Sequence, residues 1–112
     1  MAIDYHKLMA WPFGQVEQSY TAKDSILYAL GLGLGADPLD SDQLRYTFEE
    51  ADGFAALPTM AVVLAGPGFW ARDPNSGIAW QKVLHGEQEI ELHGPVPAAA
   101  TMVGETCITA VS

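Results

Sequence analysis

The sequence predicts a small α+β domain. Three observations carry this. A capped amphipathic helix opens near residue 21, two runs in the second half alternate like strands, and Gly- and Pro-rich turns punctuate the rest. The chain has 112 residues, enough for one small domain and not for two. Hydrophobic residues make up 49% and charged residues 17%, a balance that excludes a disordered tail.

Residues 1–20 read as irregular, because Pro12 and Gly14 interrupt any helix; His6 reads as a surface residue. Thr21 is the expected N-cap, with Asp24 three residues on as in a capping box. The helix runs to Leu30 with Ile26, Leu27 and Leu30 on its core face, and Gly31, Gly33 and Gly35 end it. Asp37-Pro38-Leu39-Asp40 is a turn. Leu44 to Glu49 alternates as a short strand. Leu57 to Ala65 fits either a buried helix with Pro58 in its first turn or a buried strand, the run being too short for periodicity to choose.

Residues 66–77 form a loop. Residues 81–94 form a long strand, with Leu84, Ile90 and Leu92 on one face and His85, Glu87, Glu89, Glu91 and His93 on the other. Gly86 within it signals close approach to the backbone. Residues 102–111 form a last strand. Because so few strands are available to close a sheet, the chain is expected to be part of something longer or to pair with another chain.

Several functions are excluded or weakened. The net charge of −9 supplies no basic stripe for nucleic acid. No apolar run is long enough for a membrane span. Neither a signal peptide nor a C-terminal peroxisomal signal is legible, so a cytoplasmic location is expected. The single cysteine, Cys107, excludes an internal disulfide framework and reads as a buried, inert thiol. The glycines at 31, 33 and 35 follow a helix instead of preceding one, so they are no dinucleotide loop. The His/Glu face of 85–93 lacks converging ligands and reads as a solvated surface, with no metal expected. Glu49 is singled out from the acidic stretch 37–52 as a group held near a pocket. Trp11, Trp70 and Trp80 are expected to pack loops or line a cleft.

Four ordered segments carry a family resemblance. They are Tyr20 to Gly31, Asp37-Pro38 to Glu49, Leu57 to Leu64, and Gly77 to Gln88 with its Lys82-Val83-Leu84-His85-Gly86-Glu87-Gln88 run. In order and spacing they resemble the N-terminal repeat of the MaoC-like, or type 2, (R)-specific enoyl-CoA hydratases, over nearly the whole chain. The resemblance implies a hot-dog fold, an antiparallel sheet wrapped around a helix, here as an incomplete repeat. It implies that residues 1–112 are the acyl-CoA-binding half of the enzyme and that the catalytic repeat lies outside this chain.

The implied reaction is reversible hydration of a trans-2-enoyl-CoA to the (3R)-3-hydroxyacyl-CoA, in fatty-acid or steroid side-chain metabolism. Coenzyme A enters as part of the substrate and no separate cofactor is implied. The family's catalytic motif, an Asp with a His five residues later, does not occur here. Five residues before His6, His85 and His93 stand Met1, Trp80 and Gln88. The resemblance therefore assigns no catalytic residue to this chain. It assigns substrate contact to His85 and Gly86, and supporting roles to Tyr28, Glu49 and Glu87. The family's aromatic residue two positions beyond the motif Glu is Glu89 here. Implied partners are an acyl-CoA thioester and a second hot-dog repeat, with a homodimer of the full protein. A non-catalytic acyl-CoA-binding module and a thioesterase are the alternatives, since the fold hosts both.

Overall fold

A single antiparallel ladder between distant parts of the chain organises the computed structural model, which describes residues 3–112. Strand β1 (Gln15–Tyr20) pairs with β2 (Ala100–Glu105), in register Gln15 to Glu105 and Tyr20 to Ala100. Both strands have period-2 sidedness, so Val16, Gln18 and Tyr20 share one face with Ala100, Met102 and Gly104. The other face carries polar cross-strand pairs. The Gln15 amide donates to Glu105 Oε1 at 2.6 Å, and the Ser19 and Thr101 hydroxyls bond at 2.7 Å.

Before the ladder, Asp4 caps a short helix α1 (Tyr5–Met9) by accepting from the Lys7 backbone N–H at 3.1 Å. The sequence reading left this region irregular. The Asp4 cap is a local signal that suffices for α1, whereas β1 is visible only through a partner some eighty residues away. Helix α2 (Ala22–Gly31) follows β1. The Asp24 carboxylate accepts from the Thr21 backbone N–H at 2.8 Å and from its hydroxyl at 3.2 Å, as the capping box predicts. Gly33, at φ +89°, takes the left-handed conformation just beyond the helix.

The face that α2 buries is not the expected one. Ser25 and Ala29 are fully buried, while Leu27 is 65% and Leu30 50% exposed. Small residues face inward because the α2 backbone packs close to the chain entering β2: the Ser25 hydroxyl donates to the Ala98 carbonyl at 2.7 Å.

The Asp37 turn is present, with Asp40 N–H bonded to Asp37 O at 3.1 Å. Residues 44–49 are not a strand. Helix α3 (Ser41–Thr47) occupies the segment, because Asp40 accepts from the Asp42 and Gln43 backbone N–H groups at 3.0 and 3.3 Å and starts a helix. Leu44 and Phe48 are then one turn apart, and Phe48 N–H reaches Leu44 O at 2.9 Å. Residues Pro58–Val63 form a 3-10 helix with Pro58 in its first turn.

Tyr20, Ala56, Met60 and Val96 form the buried core, with Tyr28, Leu64 and Met102 packed on it. A second cluster packs the loops. Trp11 and Phe13 lie 5.6 and 5.2 Å from Trp70, and Phe69 meets Trp80 edge-on at 5.8 Å beneath the Arg72 guanidinium.

The long strand expected over 81–94 is absent. After a 3-10 turn at Trp80–Lys82 the chain runs on without a ladder, and residues 81–95 are exposed, Leu84 by 91%. Alternation creates two faces, but a strand also needs a neighbour to take its backbone bonds, and none is present among the described residues. β2 ends at Glu105, so Cys107 lies past it as an exposed thiol, contrary to the buried one expected. Among the described residues, no helix is long and apolar enough to cross a membrane.

The molecule is elongated. Its radius of gyration is 17.5 Å, against about 13 Å for a compact domain of this length. Its accessible surface is 8187 Å², against about 6,000 Å² for a compact monomer of 12.0 kDa. Removing the capping carboxylate tests the local account of α2. Asp24→Ala is expected to lower unfolding stability by about 1 kcal/mol, read as a lower urea midpoint at unchanged slope.

Candidate functional site

β1, α2 and the 3-10 segment meet around a cavity of about 360 Å³. Leu27, Met60, Val63 and Leu64 give it apolar walls, and Tyr20 and Tyr28 contribute rings. Gln18, Ser19 and Asp24 supply its polar edge. Volume and lining suit a small apolar chain with a few orienting polar groups. Tyr28 is oriented here, as its hydroxyl donates to Thr59 Oγ1 at 3.0 Å.

Two hydrogen bonds tie β1 and α2 to the segment that leads to β2. The Tyr20 hydroxyl donates to the Pro97 carbonyl at 2.6 Å and Ser25 donates to the next carbonyl, that of Ala98. Tyr20 is 4% exposed, and burial pushes its phenol above the usual 10.0. On the far side of Leu64 lies a smaller cavity of about 200 Å³, bordered by Ala65, Val96, Met102 and Gly104.

Of the site residues that the resemblance implies, Tyr28 alone lines the first cavity. Glu49 borders a separate pocket of about 450 Å³ with Ala22, Lys23 and Ile26, so it lies near a pocket though not at a strand end. His85, Gly86 and Glu87 line none of these three cavities. They belong to the exposed 81–95 segment, where His85 Nε2 lies 3.1 Å from Gln88 Oε1 and no heavy atom stands within 4 Å of where a Gly86 Cβ would be. The structure therefore does not bring His85 and Gly86 together with Tyr28 or Glu49 in one cavity. Among the described residues no group of three or more His, Cys, Asp or Glu is placed to hold a metal ion.

Gln18, Tyr20, Ser25, Ala65 and Gly104 had no role in the sequence reading. Gly104 carried the one usable signal, a glycine inside a strand. A Cβ there would collide with the Ala65 carbonyl oxygen. Close approach to the backbone, expected at Gly86, is found at Gly104, and the space over Gly86 is open.

The fold is an α+β domain whose sheet has two strands among the described residues, with an apolar pocket beside β1 and α2. Comparison with known proteins specifies it further. Residues 18–112 match the family described as MFE-2 hydratase 2 N-terminal domain, and the chain belongs to that family. It is 35% identical over 115 residues to a probable enoyl-CoA hydratase 2 of Dictyostelium discoideum, covering 97% of this chain and 37% of that protein. It is 35% identical over 107 residues to the peroxisomal multifunctional enzyme type 2 of Mus musculus, covering 92% of this chain and 14% of that enzyme. It is 31% identical over 113 residues to enoyl-CoA hydratase ChsH3 of Mycobacterium tuberculosis, covering 97% and 39%. The chain thus spans two fifths or less of each of these relatives.

Two substitutions test these hydrogen bonds. Ser25→Ala leaves the Ala98 carbonyl without its donor and is expected to cost about 1–2 kcal/mol in urea unfolding. Tyr20→Phe carries a pH signature. The folded state raises the phenol's pKa, so its stabilisation is complete below the unfolded value near 10.0 and is lost as pH rises through the higher folded value. The stability difference between parent and Tyr20→Phe is therefore expected to shrink above pH 10.0, and a difference independent of pH would refute the burial effect.

Proposed function

We propose that this chain is the acyl-CoA-binding half of an (R)-specific 2-enoyl-CoA hydratase, acting on fatty acyl or steroid side-chain thioesters. The carrying observation is the apolar cavity between β1, α2 and the 3-10 segment, in a chain of the hydratase 2 N-terminal family. The names of its relatives, enoyl-CoA hydratase 2 and ChsH3, support the same reading.

Hydration joins a water oxygen to C3 and a proton to C2. A base takes the water proton and an acid supplies the one for C2. Charge growing on the thioester oxygen needs a waiting N–H donor. The overall step is redox-neutral and calls for no cofactor beyond the CoA carried by the substrate. This chain has no Asp with a His five residues later, so acid and base come from a second repeat. Its own work is to hold the acyl chain in the cavity and, at His85 and Gly86, to meet the substrate near its thioester.

The excess surface supports such a partner. About 2,000 Å² beyond a compact monomer's area, if covered on this chain, makes an interface of about 4,000 Å² counted over both partners, within the range of obligate assemblies. Exposed Leu27, Leu30, Leu84, Ile90 and Leu92 give that surface an apolar part.

The purified full-length protein is expected to consume crotonyl-CoA and release the (3R)-3-hydroxy product, while residues 1–112 alone are inactive. His85→Ala in the full-length protein should raise KM by about threefold to tenfold. Hydration by residues 1–112 alone would place the chemistry in this half, and release of free CoA thiol without hydration would make the protein a thioesterase. Residues 1–112 in isolation are expected to self-associate in light scattering. A stable, cooperatively folding monomer of 12.0 kDa would refute the need for a second repeat.

A further inference from the structure

Ala65 is gripped from both strands. Its backbone N–H donates to Gln18 Oε1 at 2.6 Å, and its carbonyl lies against Gly104 of β2 so closely that no side chain fits there. Gln18 and Gly104 are diagonal neighbours on the inner face of the ladder, since Gln18 pairs with Met102 and Gly104 with Val16. Ala65 itself is 5% exposed and stands at φ +49°, a left-handed conformation that a residue with a Cβ adopts only when its surroundings impose it. A polar hook, a missing side chain and a constrained backbone thus converge on one residue.

That residue ends the wall between the two cavities. Met60, Val63 and Leu64 line the larger one, and Leu64 and Ala65 also border the smaller. A 3-10 helix has poor internal hydrogen-bond geometry and does not hold its own position firmly.

We propose that Gln18 and Gly104 are positioning residues for acyl-chain selection: by latching Ala65 to the sheet they fix the wall of the acyl cavity and so the chain length it accepts. This rests on the acyl-binding reading given above. Gln18 borders the cavity itself, so its positioning action through the hydrogen bond to the Ala65 backbone is separated from its direct contact by Gly104, which lies outside that lining, and by the Gln18→Glu rescue. Loss of its carboxamide frees the wall, and a methyl at Gly104 displaces it. In both cases discrimination between long and short chains changes, whereas a purely structural role alters all substrates alike.

The test uses the full-length protein with crotonyl-, octenoyl- and dodecenoyl-CoA. For Gln18→Ala and for Gly104→Ala, the ratio of KM for dodecenoyl-CoA to KM for crotonyl-CoA is expected to shift by about fivefold, with a smaller change in the kcat ratio. Gln18→Glu keeps an acceptor oxygen for the Ala65 N–H and is expected to restore the ratio to within about twofold of the parent. Hydrogen exchange at the Ala65 amide should quicken in Gln18→Ala and recover in Gln18→Glu. Should Gly104→Ala fail to fold, the Gln18 pair decides alone. Unchanged chain-length ratios in an active parent, or no rescue by Gln18→Glu, overturn the latch. No hydration of any of the three thioesters by the parent overturns the hydratase reading and the acyl assignment together.

Discussion

Closure of the β1–β2 ladder is the constraint on which the other features rest. It joins Gln15 to Glu105 across 90 residues and has only six residue pairs with which to do so. Loop-closure entropy rises only slowly with length, so such a distant pairing is affordable, provided that side chains on both faces add to it. They do. Gln15–Glu105 and Ser19–Thr101 bond on the outer face, and Tyr20 packs into the core on the inner one. The register then places Tyr20 and Ser25 under the Pro97 and Ala98 carbonyls, and Gln18 beside Gly104.

Helix α2 is shaped by that closure. Ser25 and Ala29 are small, so the helix backbone settles against the segment entering β2, and a hydroxyl there finds a carbonyl acceptor. The cost is that Leu27 and Leu30 face outward. Leu27 then serves as a wall of the cavity beside β1. The same economy leaves the chain elongated, with apolar surface in the 81–95 segment that its own elements do not cover.

Charge has little part in holding this structure together. The chain carries 14 acidic residues and five basic ones, and its polar contacts are mainly caps and side-chain to backbone bonds. The Tyr20 phenol is shifted by burial and not by a neighbouring charge. Stability on this account depends on neutral hydrogen bonds and packing, which salt screens weakly.

What the sequence determined by itself was local or carried by resemblance. The Thr21–Asp24 capping box, the Asp37 turn and Pro58 at a helix start follow from side chains bonding within a few residues, or from a fixed φ. The matching segments pointed to the hydratase family, and the tryptophans to packed loops. Where two local signals competed at 40–48, the Asp40 cap prevailed over the alternation of Leu44, Tyr46 and Phe48. Tertiary structure decided which alternating run became a strand, which face of α2 turned inward and which glycine met a neighbouring backbone. Residues 81–94 alternate as well as 15–20 do, but only the latter has a partner here. Ladder pairing and close approach depend on what stands opposite, and no window of neighbouring residues contains that information.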